Sequence, residues 1–209
     1  MSLPQFEKIY QTRHWGEHGN TLSGSGSSSW RTEFIVDKIA QIIRTQNIRK
    51  IADICGDFAW QDGFLKRSDV QVYKGYDVSP TAIQRAITRY ETLNLTTTCE
   101  FKLANVCEED IDGTELFICR DVLVHLNFEL ALKLLQRVIP KTKYILVTSF
   151  TNPKNEDIAI GKWRTLNLRA SPFERFAPSV VDEFLEFPNG KGALGDKRLL
   201  LLDVTKLGV

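Results

Sequence analysis

Apolar residues follow two alternating patterns along the chain, one with helical spacing and one forming short continuous runs. Between Trp30 and Gln46 they fall at positions 34, 35, 39, 42 and 43, which predicts a helix buried on one face, with Ser28 or Ser29 as a side-chain cap. Runs such as KYILVTSF are apolar without alternation. Such runs are typical of strands in a parallel sheet that is covered on both faces.

Seven strand-like runs follow one another along the chain, and helical segments stand between some of them. The runs are IRKIADI, VQVYKGYD, TTTCEFKLANV, ELFICRD, KYILVTSF, VVDEFLEF and KRLLLLDV. FAWQDGFLKR predicts a short helix, SPTAIQRAITRYETL a helix with Ser79 as cap and Pro80 first, and NFELALKLLQRVI a helix capped by Asn127. The turn signals in PNGKGALGD predict that the last two runs form an antiparallel hairpin. The order predicts an α/β class: a doubly wound, Rossmann-like, mostly parallel seven-stranded sheet with a C-terminal antiparallel hairpin.

The length of 209 residues predicts a single domain, 1–209. Its parts are an N-terminal arm (1–29), a core (30–150) and a C-terminal part (151–209). The arm ends in TLSGSGSSSW, the one low-complexity stretch. That stretch is either a flexible linker or a glycine hinge that lets the arm act as a lid.

Composition narrows the classes of partner. A net charge of +1 gives no reason to expect a nucleic-acid partner, and no apolar run approaches the roughly 18 residues that a membrane span needs. The N-terminus has no signal-peptide pattern, so a cytoplasmic location is expected. The four cysteines form no CxxC pair, which favours free thiols in a reducing compartment over disulfides or zinc.

Polar residues stand at the carboxyl ends of three successive predicted strands. Asp53, Gly56 and Asp57 end the first strand, Asp77 the second and Asn105 the third. Doubly wound sheets bind ligands at this edge. Asp77 lies 24 positions after Asp53, close to the spacing at which an acid binds ribose hydroxyls, and an asparagine can pair with the edge of an adenine. Gly56 on its own is typical of a simple turn.

Four motifs in this order resemble the class I S-adenosylmethionine-dependent methyltransferases. IADICGDFAW resembles their first motif, hydrophobic-hydrophobic-Asp-x-Gly-x-Gly, although it is one residue short and keeps only the last glycine. KGYDVSP resembles the ribose-binding motif, LANV the adenine position and ELFICRDVLVHL the motif beside the transferred methyl group. The resemblance implies S-adenosyl-L-methionine as cofactor, with 30–150 as the cofactor-binding core. The implied cofactor-binding residues are Asp53, Gly56, Asp57, Asp77, Asn105, Val106 and Arg120.

The shortened glycine loop favours methyl transfer over hydride transfer. A dinucleotide loop needs several glycines so that a pyrophosphate can approach a helix N-terminus. S-adenosylmethionine has no phosphate, and its amino-acid tail requires carboxylates and backbone groups instead. A nicotinamide dehydrogenase is therefore the least favoured enzyme class.

The stretch RDVLVH carries the candidate chemistry for activating an acceptor hydroxyl. Asp121 and His125 are four positions apart, so a helical turn would place them on one face as an acid–imidazole pair, with either as catalytic base. The structural alternative is that His125 caps or packs and that Asp121 pairs with Arg120. A divalent metal ion at Asp121 also stays open.

The long segment after Phe150 predicts the acceptor site. It contains Trp163, Arg164 and Asn167, with Arg169 and Phe173 nearby, and an aromatic face with fixed polar partners is typical of a carbohydrate site. NEDIAIGKWRTLNLRASPF resembles small sugar O-methyltransferases that modify glycans, including those of large DNA viruses, for which the host cytoplasm is the expected location. The alternative is a surface excursion with one buried tryptophan.

The resemblance also implies roles for the remaining parts. The arm, with His14, Trp15 and His18, would close over the cofactor and Trp15 would stack on cofactor or sugar; the alternative is a frayed terminus with a docked tryptophan. The expected function is O-methylation of a sugar hydroxyl in a glycan. A methyltransferase of another small molecule or RNA, and a non-catalytic cofactor-binding module, are the alternatives. The sequence does not indicate an oligomeric state.

Overall fold

The computed structural model describes residues 3–17, 19, 21–54 and 56–207. In these ranges the strands are β1 (Lys50–Ile54), β2 (Val72–Asp77), β3 (Thr98–Leu103), β4 (Leu116–Cys119), β5 (Tyr144–Ser149), β6 (Val180–Leu185) and β7 (Arg198–Asp203). The α-helices are α1 (Pro4–Gln11), α2 (Ser29–Thr45), α3 (Asp62–Leu65), α4 (Pro80–Glu91), α5 (Phe128–Val138) and α6 (Ala193–Asp196). Short 3-10 turns cover Ser25–Ser27, Leu123–His125, Ile139–Lys141, Glu174–Ser179 and Val204–Leu207.

The strands of the described residues form a seven-stranded sheet in the order β3-β2-β1-β4-β5-β7-β6. Strands β1, β2 and β3 pair in parallel, as do β4 and β5, whereas β7 runs antiparallel to both β5 and β6. The predicted fold class, a mostly parallel sheet with a C-terminal antiparallel hairpin, is confirmed. The chain folds as two compact units, 1–105 and 106–209. The prediction of a single domain stays a prediction.

The first unit is built around β2, the middle strand of its three. Helix α4 packs against β2 and β3, and α1 packs against α4. One core cluster is aromatic: the Tyr73 ring meets Phe58, Phe64 and Phe101 edge to face and stacks on Tyr90. These rings bury a large apolar area on one face of the parallel strands, which holds α4 in place.

The predicted cap of α4 is confirmed and that of α2 is wrong. The Ser79 hydroxyl accepts a hydrogen bond from the Ala82 N–H at 3.1 Å, and Pro80 occupies the first helical position. Ser28 stands at the N-cap position of α2, but its hydroxyl donates to the Ser25 carbonyl at 2.7 Å. The preceding 3-10 turn competes for that hydroxyl, so the Ser28 side chain does not cap α2.

The second unit contains the most deeply buried strands. Residues of β4 and β5 are buried throughout, which explains their unbroken apolar sequence. Helix α5 begins as predicted at Asn127, whose side chain accepts from the Leu130 N–H at 3.0 Å. Asp157 adds a second acceptor at this end, taking the Phe128 N–H at 2.7 Å.

The segment between β5 and β6 is ordered by one buried side chain. The Asn155 amide donates to the carbonyls of Asn167, Ala170 and Ser171 at 2.8 to 3.1 Å. Phe173 is fully buried and meets Phe128 edge to face at 5.6 Å. The alternative of a surface excursion with one buried tryptophan does not fit, because Asn155 and Phe173 are buried and Trp163 is 54% exposed. The Phe173 ring packs in the core and is not available to a ligand.

Among the described residues, no helix is both long enough and apolar enough to span a membrane.

Replacing Gly75 by alanine is expected to lower the free energy of unfolding by about 1–3 kcal/mol. A Cβ at this position in β2 would lie 2.7 Å from the Phe101 ring and 2.9 Å from Phe58 Cζ, so the core must shift. Urea unfolding measures the change. The matched control is Gly113→Ala, whose Cβ would be 3.9 Å from its nearest neighbour, and it should shift stability by less than about 1 kcal/mol. Equal losses in the two variants would contradict the packing argument.

Candidate functional site

The carboxyl ends of β1, β2 and β3 lie side by side at one edge of the first unit. In the parallel register Ile54 faces Tyr76 and Asp77 faces Leu103, and the Ala104 N–H continues the pairing to the Asp77 carbonyl at 2.9 Å. The predicted polar residues of the first unit are therefore brought to neighbouring strand ends. Asp53, Asp57, Asp77 and Asn105 are all buried.

Asp77 ends β2 with both carboxylate oxygens bound to backbone N–H groups. One oxygen accepts from the Gly56 N–H and the other from the Ser79 N–H, each at 2.7 Å. Burial raises the pKa of Asp77 to about 6, although these N–H groups act in the opposite direction. The carboxylate therefore bridges the loop after β1 and the start of α4, and it titrates unusually close to neutrality.

The loop after β1 makes a tight turn that only partly depends on glycine. Gly56 has a φ of 115°, a conformation that favours glycine, and a Cβ there would lie 3.1 Å from the Ser23 hydroxyl. Phe58 also has a positive φ, 48°, and its buried ring lies 5.2 Å from that of Phe101. The aromatic core thus holds the second unusual backbone position. Cys55 lies outside the described residues.

Asp57 is bound by the Gly/Ser-rich arm rather than open to solvent. Its carboxylate accepts from the Thr21 hydroxyl at 2.7 Å, the Leu22 N–H at 2.8 Å and the Ser23 hydroxyl at 2.9 Å. Arg85 of α4 adds a hydrogen bond at 3.2 Å. The stretch predicted as a flexible linker therefore folds against the candidate cofactor loop.

Helix α1 fastens the same arm to α4. The Glu7 carboxylate accepts hydrogen bonds from the Ser79 and Thr81 hydroxyls and from the Thr81 N–H. Burial opposes the change, but these hydrogen bonds lower the pKa of Glu7 below its usual value. Tyr10 is buried with Leu22, and its hydroxyl lies 2.8 Å from that of Ser23. The arm is therefore a docked element and not a frayed terminus.

The aromatic and imidazole groups expected in the lid differ in placement. Trp15 is half-buried and meets Tyr10 edge to face at 6.4 Å, while His14 is exposed. His18 lies outside the described residues. Stacking of Trp15 on a cofactor or sugar stays a prediction.

Asp53 faces the aromatic core of the first unit. Its carboxylate accepts from the Tyr73 hydroxyl at 2.8 Å and from the Gln61 amide at 3.1 Å. Burial and the charge of Asp53 raise the pKa of Tyr73 well above its usual value, so the phenol stays a donor. A direct contact between Asp53 and a cofactor stays a prediction. Asn105 ends the first unit and Val106 begins the second, and both are buried.

The second unit contains a cluster of four charges, of which Arg120, Glu186 and Lys197 are buried and Asp121 is partly exposed. Arg120 donates to one oxygen of Glu186 from Nε at 3.1 Å and from Nη2 at 2.7 Å. Lys197 lies 3.1 Å from the same Glu186 oxygen and 2.5 Å from the Asp121 carboxylate. Arg120 is thus engaged within its own unit, and its assignment to the cofactor stays a prediction. Two cations and two anions balance, as a buried charge cluster requires.

Asp121 combines a left-handed backbone conformation with a carboxyl group of unusually low pKa. Its φ is 58°, and its N–H donates to the Thr148 hydroxyl at 2.9 Å. Burial alone would raise its pKa, but the charges of Lys197 and Arg120 outweigh burial and lower the pKa of Asp121 to about 2. A carboxylate with so low a pKa accepts protons poorly.

His125 is fixed in one tautomer beside Asp121. Its Nδ1 lies 2.9 Å from the Lys162 carbonyl, which can only accept, so Nδ1 carries the proton and Nε2 the lone pair in the neutral ring. Burial lowers the pKa of His125, against the opposing effects of this hydrogen bond and the Asp121 charge. The imidazole is therefore neutral at pH 7. His125 ends a 3-10 turn rather than an α-helical turn.

The three predicted acceptor residues have different environments. Trp163 is 54% exposed and meets Phe150 edge to face at 6.1 Å. Arg164 is buried and donates to the Leu126 carbonyl. The Asn167 side chain accepts from the Arg169 N–H and donates to the Asn152 carbonyl, each at 2.8 Å, so it is committed to the segment itself.

Four residues of these clusters escaped the sequence analysis: Thr21, Ser23, Glu186 and Lys197. Thr21 and Ser23 lie in a stretch whose composition indicates flexibility. Glu186 and Lys197 flank the turn of the predicted hairpin, and the hairpin carries further charges at Asp182, Glu183 and Arg198, so no signal in the sequence singled these two out.

No group of three or more His, Cys, Asp or Glu side chains within the described residues is arranged to hold a metal ion. Cys99, Cys107 and Cys119 are free thiols, and burial raises the pKa of Cys99 and Cys107 to about 11.

Solved structures with a similar fold include S-adenosylmethionine-dependent methyltransferases. One is magnesium protoporphyrin IX methyltransferase (ChlM) from Synechocystis PCC 6803 with bound S-adenosylhomocysteine, at a TM-score of 0.66 and 13% identity over 96% of each chain. The N-methyltransferase NodS from Bradyrhizobium japonicum WM9, also with S-adenosylhomocysteine, matches at a TM-score of 0.63 and 11% identity. The match covers 93% of this chain and 97% of NodS. The mitomycin 7-O-methyltransferase MmcR matches at a TM-score of 0.58 and 15% identity. The match covers 95% of this chain and 67% of MmcR. No family model matches the sequence, and no curated protein matches it. At these identities the likeness shows the fold alone.

Asp77 is expected to make the folded state less stable as pH rises. Its folded pKa of about 6 lies above the ordinary value of 3.8, so its favourable contribution is present below pH 4 and is lost as pH rises through 6. The loss should amount to roughly 1–3 kcal/mol. Urea unfolding of the wild type and of Asp77→Asn at pH 4 and pH 7 measures it, because the variant lacks the titration. Asp37→Asn removes an exposed carboxylate as a control. A stability difference between wild type and Asp77→Asn that is the same at both pH values would contradict the assignment.

Proposed function

We propose that the protein is an S-adenosylmethionine-dependent O-methyltransferase that methylates a hydroxyl of a sugar in a glycan. The observation that supports it best concerns Asp77, an acidic residue at the end of β2, where a carboxylate can bind ribose hydroxyls. Its carboxylate accepts a hydrogen bond from the N–H of Gly56, the glycine of the preceding loop, at 2.7 Å. This arrangement occurs in a fold whose solved examples bind S-adenosylhomocysteine.

The donor and acceptor groups at this edge suit an adenosyl cofactor. A carboxylate has about four lone-pair sites, and the N–H groups of Gly56, Val78 and Ser79 occupy three at Asp77, which leaves room for a ribose hydroxyl. Asn105 and Val106 would contact the adenine. Gly56, Asp57 and Asp53, with Arg120, would contact or position the amino-acid tail. The Asp57 carboxylate would reach it when the arm residues Thr21–Ser23 release it.

His125 is the proposed catalytic base. S-adenosylmethionine, when bound, supplies a methyl group whose bond to sulfur breaks as its bond to the acceptor oxygen forms. His125 takes the hydroxyl proton at Nε2, since its Nδ1 is already protonated and its lowered pKa keeps the ring neutral. Asp121, with a pKa of about 2, stabilises the imidazolium that results instead of accepting the proton. A divalent ion at Asp121 would compete with Lys197 for the carboxylate.

The acceptor is assigned to the second unit through Trp163, Arg164 and Asn167. The half-exposed indole offers a flat apolar face of the kind that sugars pack against. Asn167 would act by shaping the segment, since its amide is used internally. No nucleic acid is proposed as acceptor, because the net charge is only +1. The free thiols fit a reducing compartment such as the cytoplasm.

Two other functions have a supporting observation. A small-molecule acceptor other than a sugar is supported by neighbours named for a porphyrin and for mitomycin. A non-catalytic cofactor-binding module is supported by the saturation of Asp57 by the arm. Cofactor binding without turnover on any acceptor would favour the latter.

Calorimetry with S-adenosylmethionine and S-adenosylhomocysteine tests the cofactor assignment. Asp77→Ala is expected to weaken binding by about 1–3 kcal/mol, because a charged and buried acceptor of ribose hydroxyls is lost. Asp37→Ala, at an exposed ion pair, should bind like the wild type. S-adenosylhomocysteine release is then assayed against a panel of methyl glycosides, with and without chelator. Unchanged affinity in Asp77→Ala would show that Asp77 does not bind the ribose. Absence of cofactor binding by the wild type would contradict the proposed enzymatic function.

His125→Gln is expected to slow turnover about 10²- to 10⁴-fold, because the acceptor hydroxyl loses its base. Cofactor affinity should stay that of the wild type, which separates a catalytic role from a folding defect. The wild-type rate should fall as pH drops through the pKa of His125, which lies below its usual value. An intact rate in the variant would remove His125 from the mechanism.

A further inference from the structure

Arg164 has a buried guanidinium with two donors that no group of the described residues accepts. The side chain is 7% exposed, and Nη1 donates to the Leu126 carbonyl at 2.5 Å. The Phe128 ring lies 5.1 Å from Cζ. Both Nε and Nη2 are shielded from solvent, and neither has a hydrogen-bond partner within the described ranges.

These two nitrogens form one edge of the guanidinium, with their N–H bonds roughly parallel. Such a fork matches two neighbouring oxygen atoms. Arg120 uses the same edge, Nε and Nη2, to bind a single oxygen of Glu186 at 3.1 and 2.7 Å. The described part of the chain therefore supplies an oxygen acceptor for one buried arginine fork and none for the other.

Leaving this fork unpaired is costly, since buried N–H groups of a cation lose water without replacement. Burial lowers the pKa of Arg164, and the negative charge of Asp157 acts in the opposite direction without a hydrogen bond to Nε or Nη2. Oδ1 of Asp157 accepts the N–H groups of Phe128 and Ile158, at 2.7 and 2.9 Å. A ligand that brings two oxygens would remove the cost.

The position of Arg164 connects the fork to the proposed base. Its backbone N–H donates to the Val124 carbonyl at 3.1 Å, and the Gly161 N–H donates to the His125 carbonyl at 2.8 Å. Nδ1 of His125 donates in turn to the Lys162 carbonyl. The segment that carries Arg164 is therefore the one that orients the imidazole.

We propose that the Nε and Nη2 edge of Arg164 binds two neighbouring oxygen atoms of the acceptor and so selects the hydroxyl that faces His125. The inference rests on the proposed function and narrows its substrate class. The paired oxygens belong either to a vicinal diol of a neutral sugar or to the carboxylate of an acidic one. Residues 156–163 are largely exposed, with Gly161 at a φ of 87°, and the acceptor reaches the fork when this stretch moves aside.

Kinetics with matched glycosides test the proposal. The probes are a methyl glycoside with a vicinal diol, its deoxy analogue lacking one of the two oxygens, and the corresponding uronic acid glycoside. For the wild type, kcat/KM should fall about 10- to 100-fold from the better of the two-oxygen probes to the deoxy analogue. In Arg164→Lys, which keeps the charge but not the fork, this discrimination should disappear. A higher value for the uronic acid glycoside would identify a carboxylate, and a higher value for the diol a neutral sugar.

Arg175→Lys is the matched control. Arg175 is exposed in the same segment and lies over the Phe176 ring at 4.8 Å, so its replacement should leave the discrimination intact. Arg164→Gln is a second variant in case the lysine does not fold, and cofactor affinity reports folding in each. Discrimination that persists in either Arg164 variant, or that is lacking in the wild type, would overturn the proposal.

A binding measurement separates this outcome from failure of the proposed function. The Nε–H nuclear magnetic resonance signal of Arg164, assigned by its loss in the variants, is followed while the two-oxygen probe is added. A shift with the two-oxygen probe and none with its deoxy analogue would support the fork even without methyl transfer. No shift in a protein that does transfer methyl groups would reject the fork and leave the proposed function standing.

Discussion

The burial of three carboxylates, one in β1, one in the loop after β1 and one at the end of β2, is the constraint on which the first unit depends. A buried carboxylate is tolerated only when donors replace the water that it has lost. The chain supplies these donors from three places: the loop glycine for Asp77, the arm for Asp57, and Tyr73 with Gln61 for Asp53. Asp53 and Asp57 are four positions apart, and Asp77 ends the strand adjacent to β1. The conformation of the loop, the docking of the arm and the orientation of Tyr73 are therefore linked through these three acids.

In the second unit the carboxylates that have lost water are compensated by positive charges as well as by hydrogen bonds. Glu186 and Lys197 come from the two sides of the hairpin turn, so the hairpin joins its charges to those that follow β4. This explains the division between Asp121 and His125. Burial is the largest single influence on both groups: it lowers the pKa of His125, whereas at Asp121 the charges of Lys197 and Arg120 together outweigh it and lower the pKa. Two neighbouring groups with pKa values pushed to different ranges are typical of acid–base sites.

The sequence predicts what is local and misses what depends on partners far along the chain. The strands, the hairpin and the caps at Ser79 and Asn127 follow from periodicity and from hydrogen bonds within three residues. The docking of Thr21–Ser23 on Asp57 spans about 35 positions, and that of Lys197 on Asp121 spans 76. No short-range pattern encodes such pairs. The failed cap at Ser28 is a local exception, since its hydroxyl donates to the Ser25 carbonyl in a turn that the composition did not reveal.

The loop after β1 shows why one glycine is enough for this turn. Gly56 must remain glycine because its φ is 115° and because Ser23 occupies the space beside its Cα. The second left-handed position is filled by Phe58, at a strain of roughly 1–2 kcal/mol. Its ring is buried against Tyr73 and Phe101, and burial of an aromatic side chain stabilises by an amount of the same order or greater. Packing thus replaces the conformational freedom that a further glycine would have provided.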